Sequence, residues 1–168
     1  MTTPPIIADA GPLIGLARIG LLPLLRELYG GAVIPPQVFQ ELRIREGREG
    51  ARALAEALAQ GWLKTEQVPN RAELESLLLA LEEGEAEAIL LAEQRAYRFL
   101  LMDEKRGRAI ARRRGLRVAG TGALLVAAKQ KGLVAKVSTV LELLDHAGYR
   151  LSTGLKAEIL RMADEGNG

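Results

Sequence analysis

The sequence predicts an α/β fold with a parallel sheet covered by helices on both faces. Three observations carry this. Short apolar runs alternate with helical segments along the whole chain, which is the pattern of strand–helix–strand units. The runs are short and continuously apolar, as strands buried on both faces must be. With 168 residues and 48% hydrophobic side chains the chain can bury a sizeable core as one domain, residues 1–168, without staples.

Ile6 to Ala8 reads as the first buried strand. Gly11-Pro12 follows, with Pro12 suited to the first position of a helix, and Leu13, Leu16 and Ala17 begin an i, i+3, i+4 apolar face. A second helix over 21–29 closes at Gly30-Gly31. Ala32 to Ile34 is the next strand, stopped by Pro35-Pro36, and a helix carrying Val38, Phe39, Glu41 and Leu42 comes after it. Gly47 and Gly50 interrupt before a strongly helical stretch over 51–59. Trp62 to Val68 reads as an edge strand turned by Pro69-Asn70.

Two helices are expected next, near 71–82 and 85–96, separated at Gly84. Arg98 to Met102 is a buried strand, followed by a basic helix over about 104–114 with Gly115 as its cap. Leu116 to Ala119 is the last strand. Gly120-Thr121-Gly122 leads into a helix over 122–131, and helices near 137–147 and 152–164 finish the chain.

Composition excludes several chemistries. There is no Cys, so disulfides and thiolate metal sites are ruled out, in keeping with a cytoplasmic protein. The single His, His146, lies near a predicted helix end, where the dipole favours it, and a His-based zinc site needs more partners. Gly120-Thr121-Gly122 lacks the Gly-Lys-Ser/Thr of a phosphate loop, and no G-x-G-x-x-G follows the first strand. No apolar run reaches the ~18 residues of a membrane span, and the start Met1-Thr2-Thr3-Pro4-Pro5 lacks the basic residues of a signal peptide.

Four acidic residues stand out because they sit at the ends or edges of apolar segments: Asp9, Glu41, Glu85 and Asp103. In open α/β sheets ligands bind beyond the carboxyl ends of the strands. Brought together there, these carboxylates would make a pocket of hard oxygen ligands suited to Mg²⁺ or Mn²⁺. Each also has a plainer reading: Asp9 as a helix N-cap, Glu41 as a solvated surface residue, Glu85 and Glu87 as helix-opening charges, Asp103 and Glu104 as turn residues. Glu85 and Glu87 point to different faces of their helix, so they compete for one role. The net charge is only +2, but Lys105, Arg106, Arg108, Arg112, Arg113, Arg114 and Arg117 crowd into a short stretch. At about 100° per residue, Lys105, Arg108 and Arg112 share one face, which could meet phosphates near Asp103.

Read together, the flanks of these residues resemble the PIN-domain family of nucleases, and within it the small prokaryotic toxin-like (VapC-like) branch. The resemblance rests on Ile7-Ala8-Asp9-Ala10-Gly11-Pro12-Leu13, Val33-Ile34-Pro35-Pro36-Gln37-Val38-Phe39-Gln40-Glu41, Gly84-Glu85-Ala86-Glu87-Ala88, and Leu101-Met102-Asp103-Glu104 with the later Gly120-Thr121-Gly122 turn. It implies a three-layer α/β/α sandwich with a central parallel sheet of about five strands. It further implies metal-dependent cleavage of single-stranded RNA, with Mg²⁺ or Mn²⁺ bound by Asp9, Glu41, Glu85 and Asp103. Thr121 would place its hydroxyl beside them. Two departures from the family pattern are Glu at the third acidic position and Asp103-Glu104 in place of two aspartates, which brings Glu104 in as a further candidate ligand. The implied partners are single-stranded RNA, a small antitoxin that covers the pocket, and a second copy of the chain. A non-catalytic RNA-binding or protein-interaction module on the same fold is the alternative.

Overall fold

A computed structural model describes residues 3–166. Met1 and Thr2, part of the start read above for a signal, lie outside the described residues, as does the end of the chain beyond 166. Five short strands form one sheet: β1 (Ile6–Ala8), β2 (Ala32–Ile34), β3 (Leu63–Thr65), β4 (Leu100–Leu101) and β5 (Val118–Ala119). Their order is β3-β2-β1-β4-β5 and every pairing is parallel. The register pairs Ile7 of β1 with Val33 of β2 on one side and with Leu100 of β4 on the other.

Among the described residues ten α-helices cover the sheet: α1 (Ala10–Arg18), α2 (Leu24–Tyr29), α3 (Pro36–Leu42), α4 (Ala51–Gln60), α5 (Leu74–Leu78), α6 (Glu83–Gln94), α7 (Lys105–Arg113), α8 (Thr121–Gln130), α9 (Val137–His146) and α10 (Thr153–Met162). Strand residues alternate between the two faces, so β1 sends Ile6 and Ala8 into one core and Ile7 into the other. The first core packs β1 and β2 against α1 to α4 and α8 to α10, with Leu13, Leu16 and Leu25 fully buried. The second packs Ile7, Val33, Leu100 and Met102 against α5 to α7, with Ile89, Leu90 and Leu91 filling the centre. Each such side chain removed from water stabilises the fold by about 2 kcal/mol. The result is the three-layer α/β/α sandwich expected.

The chain leaves β1 toward β2 on one side and returns through β4 on the other. The switch point therefore lies between β1 and β4, the place where such sheets form a crevice. Because helices run back against the strands, α1, α3, α6, α7 and α8 all begin at this same carboxyl edge, with free amides and positive dipole ends directed there.

Boundaries differ from the sequence expectation in instructive places. Gly84 lies inside α6 instead of separating two helices. Glu82 and Glu85 form a capping box that starts the helix upstream of it. The helix expected over 71–82 shrinks to α5, because the Asn70 side chain accepts from the Ala72 amide (2.9 Å) and holds a turn. Helix α2 starts at Leu24, after Pro23, and α1 starts at Ala10, so that Pro12 sits within its first turn. The strand expected over 98–102 is formally only Leu100–Leu101, yet its ladder continues through Ile7 N–H to Phe99 O (3.1 Å) and Met102 N–H to Ala119 O (3.0 Å). No described helix is long and apolar enough to cross a membrane.

Candidate active site

Asp9 follows β1 directly, and its amide donates to Leu101 O (2.9 Å), so the sheet ladder itself sets it beside the end of β4. It occupies the N-cap position of α1, yet its side chain makes no cap hydrogen bond, unlike the ordinary N-cap aspartate. The residue is only 8% exposed. Burial above all, joined by the charges of Glu85, Glu41 and Asp103, pushes its carboxyl up to about 7, against the weaker opposing pull of the nearby Ala10 amide. All four carboxylates picked from the sequence thus share one neighbourhood.

Asp103 is held on three sides. The Thr121 amide donates to Oδ1 (2.7 Å), the Thr121 hydroxyl donates to Oδ2 (2.5 Å), and the Tyr149 hydroxyl also donates to Oδ2. Thr121 is 1% exposed, so this aspartate is clamped by buried groups at the start of α8. A side chain at Gly120 would run into the Arg108 guanidinium and reach 2.8 Å from Asp103 Oδ1. Glycine there is what lets both groups approach the turn.

Tyr149 is the residue that sequence reasoning missed. It lies in the connection between α9 and α10 and packs on α1 at Gly15, where a Cβ would sit 2.9 Å from its ring. Its hydroxyl lies near Gly11, one turn earlier. Burial and the Asp103 charge raise its pKa. The readable signal was Gly11 and Gly15 four residues apart on the helix after Asp9, a groove cut for a ring.

Glu41 lies on α3, half-buried, with its carboxylate against the backbone of Gly84, in the space a side chain there would fill. Burial raises its pKa, and the Glu82 and Glu83 charges add to this. Glu85 accepts from the Glu82 amide (3.1 Å) in the capping box. Burial raises its pKa too, followed by the charges of Glu104, Glu82 and Glu41. Glu104 caps α7: its oxygens accept from the Arg106 amide (3.1 Å) and the Gly107 amide (2.6 Å). It still adjoins Glu85, since both carboxylates reach the space above Gly107.

Glu87 faces elsewhere. It accepts from the Gln37 amide (3.0 Å) and pairs with Arg71 (2.6 Å), joining α3 to α6 at only 3% exposure. Its partners make it a structural tie, and Glu85 is the member of this pair that adjoins the other carboxylates. Of the basic residues, Arg108 is half-buried beside Gly120, and burial and Arg112 lower its pKa against the pull of Asp103. Lys105 and Arg112 are exposed. Arg114 and Arg117 are committed to Glu93 and Tyr97, away from the site.

An open cleft of about 530 Å³ lies over the switch point, lined among others by Asp9, Glu85, Asp103, Glu104, Tyr149 and Arg150. Among the described residues, no three His, Cys, Asp or Glu side chains stand arranged to enclose an ion. The donors fit a hard cation in kind, being carboxylate oxygens that share a cleft and make no ion pair among the described residues.

A parallel α/β/α sandwich with carboxylates gathered at its switch point defines an open α/β protein whose ligand crevice lies beyond the carboxyl ends of its strands. The model of a family described as PIN domain matches residues 5–165, and the chain belongs to that family. PIN domains are nuclease-type proteins, which gives the chain a hydrolase-type activity on nucleic acid at the coarse level. No curated protein and no solved structure matches the chain.

Proposed function

We propose that the protein is a divalent-metal-dependent endoribonuclease that cleaves single-stranded RNA and serves as the toxin of a toxin–antitoxin pair. The observation that carries the nuclease reading is the meeting of Asp9 and Asp103 at the switch point, with Glu85 and Glu41 close enough to act on Asp9. Asp9, Asp103 and Glu85 would hold Mg²⁺ or Mn²⁺, with Glu41 behind them and Glu104 in reach through water. When bound, the ion would polarise a phosphoryl oxygen and ease ionisation of a water.

The chain's own residues do the rest. Thr121 and Tyr149 fix the Asp103 carboxylate in one orientation, so its outward lone pairs stay aimed into the cleft. Thr121 is in this reading a positioning residue. The amides at the starts of α1, α6, α7 and α8 favour negative charge at the edge. Arg108, with Lys105 and Arg112 further out on α7, would draw the RNA backbone past the acidic rim. The partners in this reading are single-stranded RNA, a small antitoxin covering the cleft, and a second copy of the chain.

The second reading, a catalytically degenerate PIN-fold RNA-binding or protein-interaction module, draws on the cap bonds that engage Glu85 and Glu104. One experiment separates the two. A mixed single-stranded RNA panel is incubated with wild type, Asp9→Asn and Asp103→Asn, each with Mg²⁺, Mn²⁺ or EDTA. The nuclease reading expects cleavage lost in EDTA and reduced by roughly two to three orders of magnitude in either variant. RNA binding with no cleavage under any condition would support the degenerate module. Equal cleavage by the variants would remove Asp9 and Asp103 from the site. Growth arrest on expression, relieved by a co-expressed small neighbour-encoded protein, tests the toxin role.

A further inference from the structure

Five carboxylates line the cleft, from Asp9, Glu82, Glu85, Asp103 and Glu104, and one cation lines it with them: Arg150. An arginine beside so many acids would ordinarily be neutralised by one of them. Arg150 is exposed and makes no ion pair among the described residues. The reason lies in the segment that carries it. Gly148 turns the chain with φ of 88°, in the left-handed region, and the Tyr149 amide closes back on Leu144 O (2.9 Å). The Tyr149 ring is seated in the groove at Gly11 and Gly15 with its hydroxyl on Asp103. Ser152 then caps α10 by accepting from the Leu155 amide (3.1 Å). Residue 150 thus stands between two fixed neighbours, exposed and lining the cleft.

We propose that Arg150 is a substrate-binding residue that grips a backbone phosphate of single-stranded nucleic acid beside the scissile position, with Tyr149 fixing its loop to the carboxylate site. A guanidinium offers a planar fork matched to two phosphate oxygens, which an uncommitted arginine can use at once. This inference rests on the nuclease reading of the site.

The test compares wild type, Arg150→Ala and Arg150→Lys on a 5′-fluorescein-labelled single-stranded RNA of roughly 20 nucleotides. Binding is followed by anisotropy with Ca²⁺ in place of Mg²⁺, from about 50 to about 300 mM KCl. Cleavage is followed separately with Mg²⁺ or Mn²⁺. Arg150→Ala is expected to raise KM about 5- to 10-fold with kcat within about twofold, and to reduce the slope of log affinity against log salt by about 0.7, one contact's worth on a single strand. Arg150→Lys should keep the slope and recover part of the affinity, because it keeps the charge and loses the fork. Unchanged KM and slope in Arg150→Ala, with wild type cleaving, would overturn the phosphate grip and leave the nuclease reading standing. Wild type that binds with the Arg150-dependent slope but never cleaves would support the grip and overturn the nuclease reading. Wild type that fails to bind at all would sink both.

Discussion

The two ends of the sheet handle charge in opposite ways. At the amino end, ionised groups have partners within reach. Arg114 at the end of α7 meets Glu93 (2.8 Å) and Glu73 (3.2 Å). Arg117 donates to Tyr97 O (2.7 Å) and stacks over the Tyr97 ring, and Arg98 lies over the Tyr29 ring. At the carboxyl end, Asp9, Glu41, Glu85 and Asp103 share a neighbourhood with no ion pair among them, and burial, with repulsion from neighbouring carboxylates, raises the first three. A fold built only for stability would pair such groups or remove them. Leaving like charges together in a cleft raises the free energy of the metal-free protein, a cost that a bound cation would offset. The difference teaches that charge pairing ties the fold at the amino end, whereas the carboxyl end leaves its acids unpaired in a cleft, as the proposed cation site requires.

The largest expected test of that contrast is the pH dependence of the metal-free protein. The Asp9 carboxyl lies near 7 in the folded state, above its ordinary 3.8. Its contribution to stability is therefore fully present below pH 3.8 and is lost as pH rises through 7. In chelator, wild type should lose stability as pH rises from about 3.8 to about 7, by at most about 4 kcal/mol from this residue. Glu41 and Glu85, also raised, push the same way. Asp9→Asn should flatten the profile and be the more stable protein at pH 8, and added Mg²⁺ should restore wild type by binding only the folded state. Parallel urea-denaturation profiles for the two proteins would break the contrast. Glu165 sets the acid limit with the opposite sign. Burial pushes it up, but the Lys129 ammonium and the Ser138 and Val137 amides hold it down at about 2. Its stabilisation is present above its ordinary 4.5 and is lost as pH falls through 2.

A smaller effect separates two residues of one helix. Glu87→Gln should cost about 2 kcal/mol, because a buried carboxylate loses its charge-assisted bonds to Arg71 and the Gln37 amide. Its kcat should stay near wild type. Glu85→Gln should do the reverse, lowering cleavage roughly tenfold or more with the urea midpoint almost unmoved, since Gln can still complete the capping box. If Glu87→Gln abolished cleavage while stability held, the assignment of the structural and active members would be inverted.

The pattern of short apolar runs was enough to mark all five strands and the two aspartates, because a residue directly after a buried strand has its position fixed by the sheet. The Asp9 amide bond to Leu101 O is that constraint in atomic form. The glutamates were harder, since a residue on a helix is placed by packing, and i and i+2 spacing does not say which face the partner helix takes. Only the Gln37 amide and Arg71 decide that Glu87 turns inward. Gly84 looked like a helix break because glycine usually is one, whereas here its missing side chain admits the Glu41 carboxylate. Tyr149 lies 46 residues after Asp103, and no local pattern links them. Its contact comes from α9 packing back against α1 and carrying the following loop over it, a tertiary fact that propensity and periodicity do not carry.

The smallest expected effect lies at the paired end. Arg114 is 24% exposed and makes a forked contact with Glu93, with Nε and Nη2 both engaged, besides its bond to Glu73. Its pKa is raised first by the Glu93 hydrogen bonds. Solvent screens pairs of this kind, so Arg114→Ala should cost only about 1 kcal/mol in urea denaturation, diminishing with added salt. It lies at the opposite end of α7 from Asp103, so kcat/KM on single-stranded RNA and the salt slope of binding should both match wild type. A stability loss alone would keep the amino end as a purely structural network. A fall in affinity with an altered salt slope would mean that the basic groove beside Tyr97 and Arg117 also carries the nucleic-acid backbone, and the functional surface would then extend around α7 to both ends of the sheet.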